Sequence, residues 1–249
     1  MIVLIAGLLV GSFLNVLIAR FYVLETIVTT RSHCPSCKKQ ISWHDLIPIL
    51  SFVLLTARCR YCKERISWQY PIIEALTACL ALLIYWTFGL TGYAIGLFMV
   101  FSLLLVITVI DINHHLIPDE YALTAVLLAF LITFLPSSPQ SLEHIAWGAL
   151  VGGGFLAAIV LVSKERWMGM GDISLGLILG LLVGVSGSLV GLMFAFVVGA
   201  VVSLLLIATR AKSLKDAVPF GPFLIFGTLV STFWGTGIVN WYLSIIGLS

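Results

Sequence analysis

Long apolar runs separated by short polar breaks fill most of the chain. A membrane-spanning helix needs roughly 20 mostly apolar residues. The runs predict spans at about 1–19, 71–88, 93–110, 120–135, 142–162, 172–185, 189–209 and 222–246. The sixth is short, which leaves seven spans as the other count. One polar stretch, from Arg20 to Tyr70, is too long for a turn. The expected organisation is a first transmembrane helix (1–19), a polar insertion (20–70) and a membrane helix bundle (71–249). The fold class is therefore all-α, a polytopic bundle of about eight helices carrying one small insertion. Gly176, Gly180 and Gly184 recur every fourth residue and share a helix face. Small residues on one face let helices pack closely in lipid.

Composition agrees. Of 249 residues, 61% are hydrophobic and only 10% are charged, against about 25% charged in an ordinary soluble domain. The net charge of +2 gives no ground for a nucleic-acid partner. The placement of the charges is more telling. All 13 Lys and Arg fall in three groups: Arg20 to Arg65, Lys164 with Arg166, and Arg210, Lys212 and Lys215. The positive-inside rule makes these groups cytoplasmic, and eight spans place all three on one side. The first 19 residues lack a basic n-region and a small-residue cleavage motif, so they read as an uncleaved helix with its N-terminus outside.

The insertion contains a repeat. Cys34-Pro-Ser-Cys37-Lys38 precedes Ile41-Ser42-Trp43, and 25 residues later Cys59-Arg-Tyr-Cys62-Lys63 precedes Ile66-Ser67-Trp68. Four thiolates in two C-x-x-C pairs suit a tetrahedral Zn2+ site. A cytoplasmic setting disfavours disulfides. Such a metal would hold together a segment with too few apolar residues for its own core. Cys79, within the second span, reads as a core residue. The apolar stretch Leu46 to Leu55 is too short to cross a membrane and is expected to lie at the interface or against the cysteine units.

Acidic residues number 11 in the whole chain, and ionisable groups near hydrocarbon are candidates for function. Asp111 ends the apolar run from Phe98 to Ile110, and Asp172 closes Gly169-Met170-Gly171-Asp172. The topology puts both at one depth on the cytoplasmic side. Two close carboxylates do not both ionise readily, so they share a proton. One then activates a water as general base, and the other, protonated, polarises a peptide carbonyl. The pair titrates as a unit, so neither role is assigned. Gly169 and Gly171 are expected to admit a substrate strand close to the backbone. From the residues alone, other readings stay open: Asp172 as a helix cap, Asp111 as an interfacial residue, Asp119 as the N-cap of the fourth span.

Taken in order, these motifs resemble the type IV prepilin peptidases, bacterial G-x-G-D aspartyl proteases. The resemblance rests on Gly11-Ser-Phe-Leu-Asn15-Val16 with Arg20, the two C-x-x-C units, Tyr70-Pro71-Ile-Ile-Glu74, Asp111-Ile-Asn-His-His-Leu-Ile117-Pro118-Asp119, and Gly169-Met-Gly171-Asp172. It implies that Asp111 and Asp172 are the catalytic pair, with Asp119 in the motif but not catalytic. It implies that Cys34, Cys37, Cys59 and Cys62 hold zinc. It further implies a protein of the bacterial cytoplasmic (inner) membrane whose active site faces the cytoplasm. There it would cut the leader of prepilins or pseudopilins after a glycine, then methylate the new N-terminus with S-adenosylmethionine. Family members without the cysteine insertion tie that insertion to methylation. Asn15 and Glu74 are intramembrane polar groups near the insertion. They are candidates for the methyl-donor site, and helix–helix hydrogen bonding explains them equally well. Two rival functions are a presenilin-like protease with another substrate and an ion-coupled transporter. The cysteine repeat weighs against the first. Acids at helix ends, rather than at the midplane in repeated halves, weigh against the second.

Overall fold

The lengths of the apolar runs and the positions of their glycines account for most of the architecture. A computed structural model describes residues 1–21, 32–136, 138, 141–213 and 216–247. Arg31, Lys215 and the Ser137 and Pro139 positions of the break after the fourth span lie outside them. Among the described residues the chain is helical, with two isolated β-bridges and no strand. It forms two compact units, Met1–Leu90 and Thr91–Ser249.

In the first unit, α1 (Ile2–Arg20) packs on α3 (Gln69–Phe88). Glycine permits the approach: a β-carbon on Gly7 would stand 2.7 Å from Cα of Ala78, and one on Gly11 2.7 Å from Cα of Glu74. Lipid gives helices no hydrophobic reason to associate, so close packing must supply the attraction. Between these helices come two cysteine hairpins, a 3-10 turn (Trp43–Leu46) and the short α2 (Leu50–Leu54). The apolar stretch around α2 faces both ways. Phe52 is buried edge-on against Trp68, with ring centroids 4.9 Å apart, while Leu50, Val53 and Leu54 are exposed. Cys79 departs from expectation. It is exposed on α3, because the face of α3 turned to α1 carries Glu74, Thr77, Ala78 and Ala81 instead.

The second unit contains α4 (Gly92–His114), α5 (Asp119–Ile132), α6 (Leu142–Ser163), α7 (Met170–Ala208) and α8 (Gly221–Ile245). Leu97, Val100, Leu104 and Ile107 follow the three-and-four spacing of one helix face and are fully buried in α4. Glycines again seat the helices. A β-carbon on Gly176 of α7 would lie 2.6 Å from the Gly152 carbonyl oxygen of α6. Gly191 of α7 and Gly227 of α8 meet in the same way.

The 39 residues of α7 would reach about 58 Å as one straight helix, nearly two bilayer cores. The helix breaks at Gly184, whose φ of 69° and ψ of −166° leave helical space. Beyond it the chain doubles back: a β-carbon on Gly191 would stand 2.6 Å from Cδ1 of Leu179. Twelve residues of straight helix would hold these positions about 18 Å apart. The sixth and seventh spans therefore join through one buried glycine. The expected spans left a turn between them at 186–188, but those residues are helical. Ser188 closes the break by donating its hydroxyl to the Gly184 carbonyl at 2.6 Å. Among the described residues, six helices are long and apolar enough to cross a membrane. The fold-back divides α7 into two arms, and the 14-residue α5 falls short of the roughly 20 residues a span needs.

Candidate functional site

One end of the second unit gathers the C-terminus of α4 and the N-termini of α5, α7 and α8. Asp111 lies in the last turn of α4. That helix stops at His115, which adopts the left-handed conformation and donates its N–H to the Asp111 carbonyl at 2.8 Å. The chain then turns through Ile117 into α5. Asp119 is the first residue of α5, after an N-cap at Pro118, and makes no side-chain cap. It is exposed, one position inside the cap expected of it. A carboxylate there still complements the helix N-terminus.

Asp172 sits three residues after the N-cap, Gly169, of α7. Its Oδ2 accepts the Gly169 N–H at 3.0 Å, which makes it the reciprocal half of a capping box. Its Oδ1 is buried without a hydrogen-bond partner. Asp111 is placed differently. Its carboxylate accepts the N–H of Gly221, the first residue of α8. Both aspartates are 5% exposed, and they lie within Coulombic reach of each other. Each is thus held by the N–H of a glycine at a helix start, where the helix dipole favours negative charge.

The two glycines of the G-x-G-D turn do different work. The space beyond Gly169 is open apart from the Asp172 carboxylate. Gly171 is pressed against Ile117, whose Cβ would be 2.6 Å from an added β-carbon. Its smallness seats the Asp111 loop on the start of α7, not a substrate strand as the sequence suggested. Gly221 escaped the sequence reading altogether. A β-carbon there would stand 2.5 Å from Asp111 Oδ2 and 3.4 Å from Leu175. The signal was present in Gly221-Pro222 after a polar loop, since proline favours a first helical turn. Gly221→Val is expected to displace the Asp111 carboxylate and to abolish most of any activity that depends on it, while leaving the amount of folded protein in detergent unchanged by size-exclusion chromatography.

An apolar cavity of about 450 Å³ lies beside these glycines, lined by Trp167, Met168, Phe196, Phe220 and Phe223 among others. Met168 directly precedes Gly169, and Phe220 directly precedes Gly221. The walls of the cavity are therefore adjacent in the chain to the N–H groups that hold both carboxylates.

In the first unit, the sequence repeat is also a repeat in structure. Each C-x-x-C closes a hairpin, with Cys34 N–H to Lys39 carbonyl at 2.9 Å and Cys59 N–H to Glu64 carbonyl at 2.8 Å. In each, the lysine after the second cysteine takes positive φ, 58° at Lys38 and 61° at Lys63. The four sulfurs of Cys34, Cys37, Cys59 and Cys62 lie within 4.8 Å of one another, and Cys34 and Cys62 are 3.8 Å apart. Zinc–sulfur bonds of about 2.3 Å in a tetrahedron put sulfurs about 3.8 Å apart, so the cluster fits a metal ion of that kind. Backbone N–H groups, of Cys62 first and then Tyr61, draw the pKa of Cys59 down to about 6, while that of Cys62 moves the other way, to about 11, so Cys59 is the first of the two to ionise. Arg60, between the second pair of cysteines, grips Asp45 with two bonds of 2.8 and 2.6 Å and holds its carboxyl below the usual range.

Both units match family models. Residues 5–88 match the bacterial peptidase A24 N-terminal domain, and residues 98–204 match the type IV leader peptidase family. A prepilin leader peptidase/N-methyltransferase of Xanthomonas campestris pv. campestris is 31% identical, over 97% of this chain and 93% of its own length. Its namesake in Bacillus subtilis is 30% identical over 97% of each chain, and that of Legionella pneumophila is 30% identical over 86% of this chain and 75% of its own. The chain belongs to the type IV leader peptidase family. No solved structure matches it. Membership in this family and six long apolar helices make it a multi-pass membrane protein. Each leader-peptidase family model falls within one compact unit, so the aspartates and the cysteines belong to separately packed parts.

Proposed function

We propose that this protein cleaves the leader of prepilins and pseudopilins with Asp111 and Asp172, and then methylates the freed N-terminus with S-adenosylmethionine. The observation that carries the cleavage reading is the pair itself. Two buried carboxylates lie within mutual Coulombic reach at one end of a helical bundle, each anchored by one backbone N–H. The unpaired Oδ1 of Asp172 is where a shared proton or a water would sit. One carboxylate takes a proton from water as the hydroxyl oxygen attacks the scissile carbonyl. The other gives a proton to the carbonyl oxygen. The tetrahedral intermediate then collapses with proton transfer to the leaving nitrogen, and the C–N bond breaks. The aromatic-lined cavity next to the pair suits an apolar residue of the substrate beside the cut.

The cysteine cluster holds zinc in this reading, and the metal is structural: four sulfur ligands close the site and leave no open position for substrate. The distribution of the basic groups supports an aspartate end that faces the cytoplasm from the bacterial inner membrane. The basic leaders of substrates would project to that face while their apolar segments stay in lipid. Incubating the purified protein with a prepilin and S-adenosylmethionine, followed by mass spectrometry, tests the proposal. The expected product begins just after the leader glycine and is heavier by one methyl group. An uncut substrate refutes the peptidase half, and a cut but unmodified one refutes the methyltransferase half.

A further inference from the structure

The geometry points to a cavity in the first unit, walled by α1, α3 and the cysteine hairpins, as the methyl-donor site, with Asn15 and Glu74 as its polar anchors. The inference rests on the methylation reading above. The cavity measures about 510 Å³, and Ser12, Asn15, Phe52, Tyr70 and Glu74 are among the residues lining it. Small-molecule sites typically span about 300–1,000 Å³. Cys34 and Cys59 also line it, so the metal cluster and the cavity share a wall.

Two observations separate this site from ordinary helix packing. Asn15 is 2% exposed. Its Nδ2 donates to the Gly11 carbonyl at 3.3 Å and across to the Tyr70 carbonyl at 3.1 Å. Its Oδ1 has no partner, and a buried acceptor without one needs an explanation. Helix–helix bonding accounts for the nitrogen and leaves the oxygen over. Glu74 is 6% exposed, and its Oε2 accepts the N–H of Ile49 at 2.7 Å. That bond ties α3 to the insertion, beside a second one that the carboxylate accepts from the Ser12 hydroxyl of α1. Ile49 makes it with φ at 59°, a conformation β-branched residues rarely adopt. The surrounding structure therefore holds this contact in place.

The lining suits the donor's chemistry. S-adenosylmethionine carries a sulfonium cation, a purine, two ribose hydroxyls and a zwitterionic amino-acid end. Glu74 and the Asn15 amide oxygen serve the cation and the hydroxyls, the rings of Phe52 and Tyr70 serve the purine, and Lys38 and Arg65, on the same lining, serve the donor's carboxylate. In the transfer, the neutral N-terminal amine attacks the methyl carbon. The carbon–sulfur bond breaks with its electron pair left on sulfur, giving a thioether and a secondary ammonium. The arrangement also explains why the first-helix motif, the Tyr70–Glu74 motif and the cysteine units occur in one unit: they are walls of one cavity.

Equilibrium dialysis of radiolabelled S-adenosylmethionine against full-length wild type, Glu74→Gln, Asn15→Ala and Asp111→Asn tests the site, with prepilin cleavage measured on the same samples. Glu74→Gln and Asn15→Ala are expected to bind at least about tenfold more weakly and to lose methyl incorporation while still cleaving. Zinc bound at the wild-type level in the same samples shows that their first unit has folded. Asp111→Asn should bind as wild type does. Should Asn15→Ala also lose cleavage, the isosteric Glu74→Gln decides. Wild-type binding by Glu74→Gln overturns the site, even if methylation falls. A wild type that neither binds the donor nor methylates overturns the methylation reading, and this inference with it.

Discussion

Asp111→Asn and Asp172→Asn are each expected to slow leader cleavage by roughly 10⁴-fold without loss of protein from the membrane. Asparagine keeps the shape of aspartate, and its Oδ1 can still accept the Gly221 or Gly169 N–H that anchors the native carboxylate. Helix ends and packing should therefore survive. What is lost is the group that exchanges a proton with water or with the carbonyl. One remaining carboxylate cannot be base and acid in the same step, so either substitution alone should suffice. The readout is the rate at which a prepilin shortens on a gel, compared at equal enzyme. Full cleavage by either variant removes that residue from the mechanism.

Removing the metal should separate the two activities. Among the described residues between the two long helices of the first unit, Cys34 and Phe52 are the buried apolar side chains. That is too little core to hold the hairpins. Metal binding in small modules supplies roughly 10–16 kcal/mol of folding free energy, so the hairpins and the cavity wall they form should come apart with it. Cys34→Ser and Cys59→Ser are expected to lower bound zinc, measured by atomic absorption. Both variants, and chelator-treated wild type, should lose at least tenfold more methylation than cleavage. Unchanged zinc in both variants contradicts the metal site. Equal loss of the two activities contradicts the division of labour.

The sequence made legible whatever depends on local pattern. Apolar run lengths gave the helices. The spacing of Cys34, Cys37, Cys59 and Cys62 gave a cluster whose sulfurs do meet. Rare acids at the ends of apolar runs gave Asp111 and Asp172, which share one end of the second unit. What stayed hidden depends on partners far along the chain. Gly221 matters because Asp111, 110 positions earlier, fills the space its side chain would take. Gly171 is small because of Ile117, and Cys79 is exposed because other residues of α3 meet α1. The fold-back at Gly184 was legible only as a weakness in the apolar run, since one glycine in an unusual conformation leaves no polar signal. Asn15 and Glu74 were visible as polar residues in apolar helices, but their common cavity needed the packing of α1 on α3.

The central claim is that one chain carries two separable activities, cleavage through the aspartate pair and methylation through the cysteine-bearing unit. The most direct test gives full-length Asp111→Asn and Cys59→Ser, each with labelled S-adenosylmethionine, both an intact prepilin and a pilin already cut at the leader glycine. Asp111→Asn should leave the prepilin intact yet label the pre-cut pilin, and Cys59→Ser should cut the prepilin yet leave both forms unlabelled. An Asp111→Asn protein that cuts normally, or a Cys59→Ser protein that labels the pre-cut pilin as wild type does, would contradict the account.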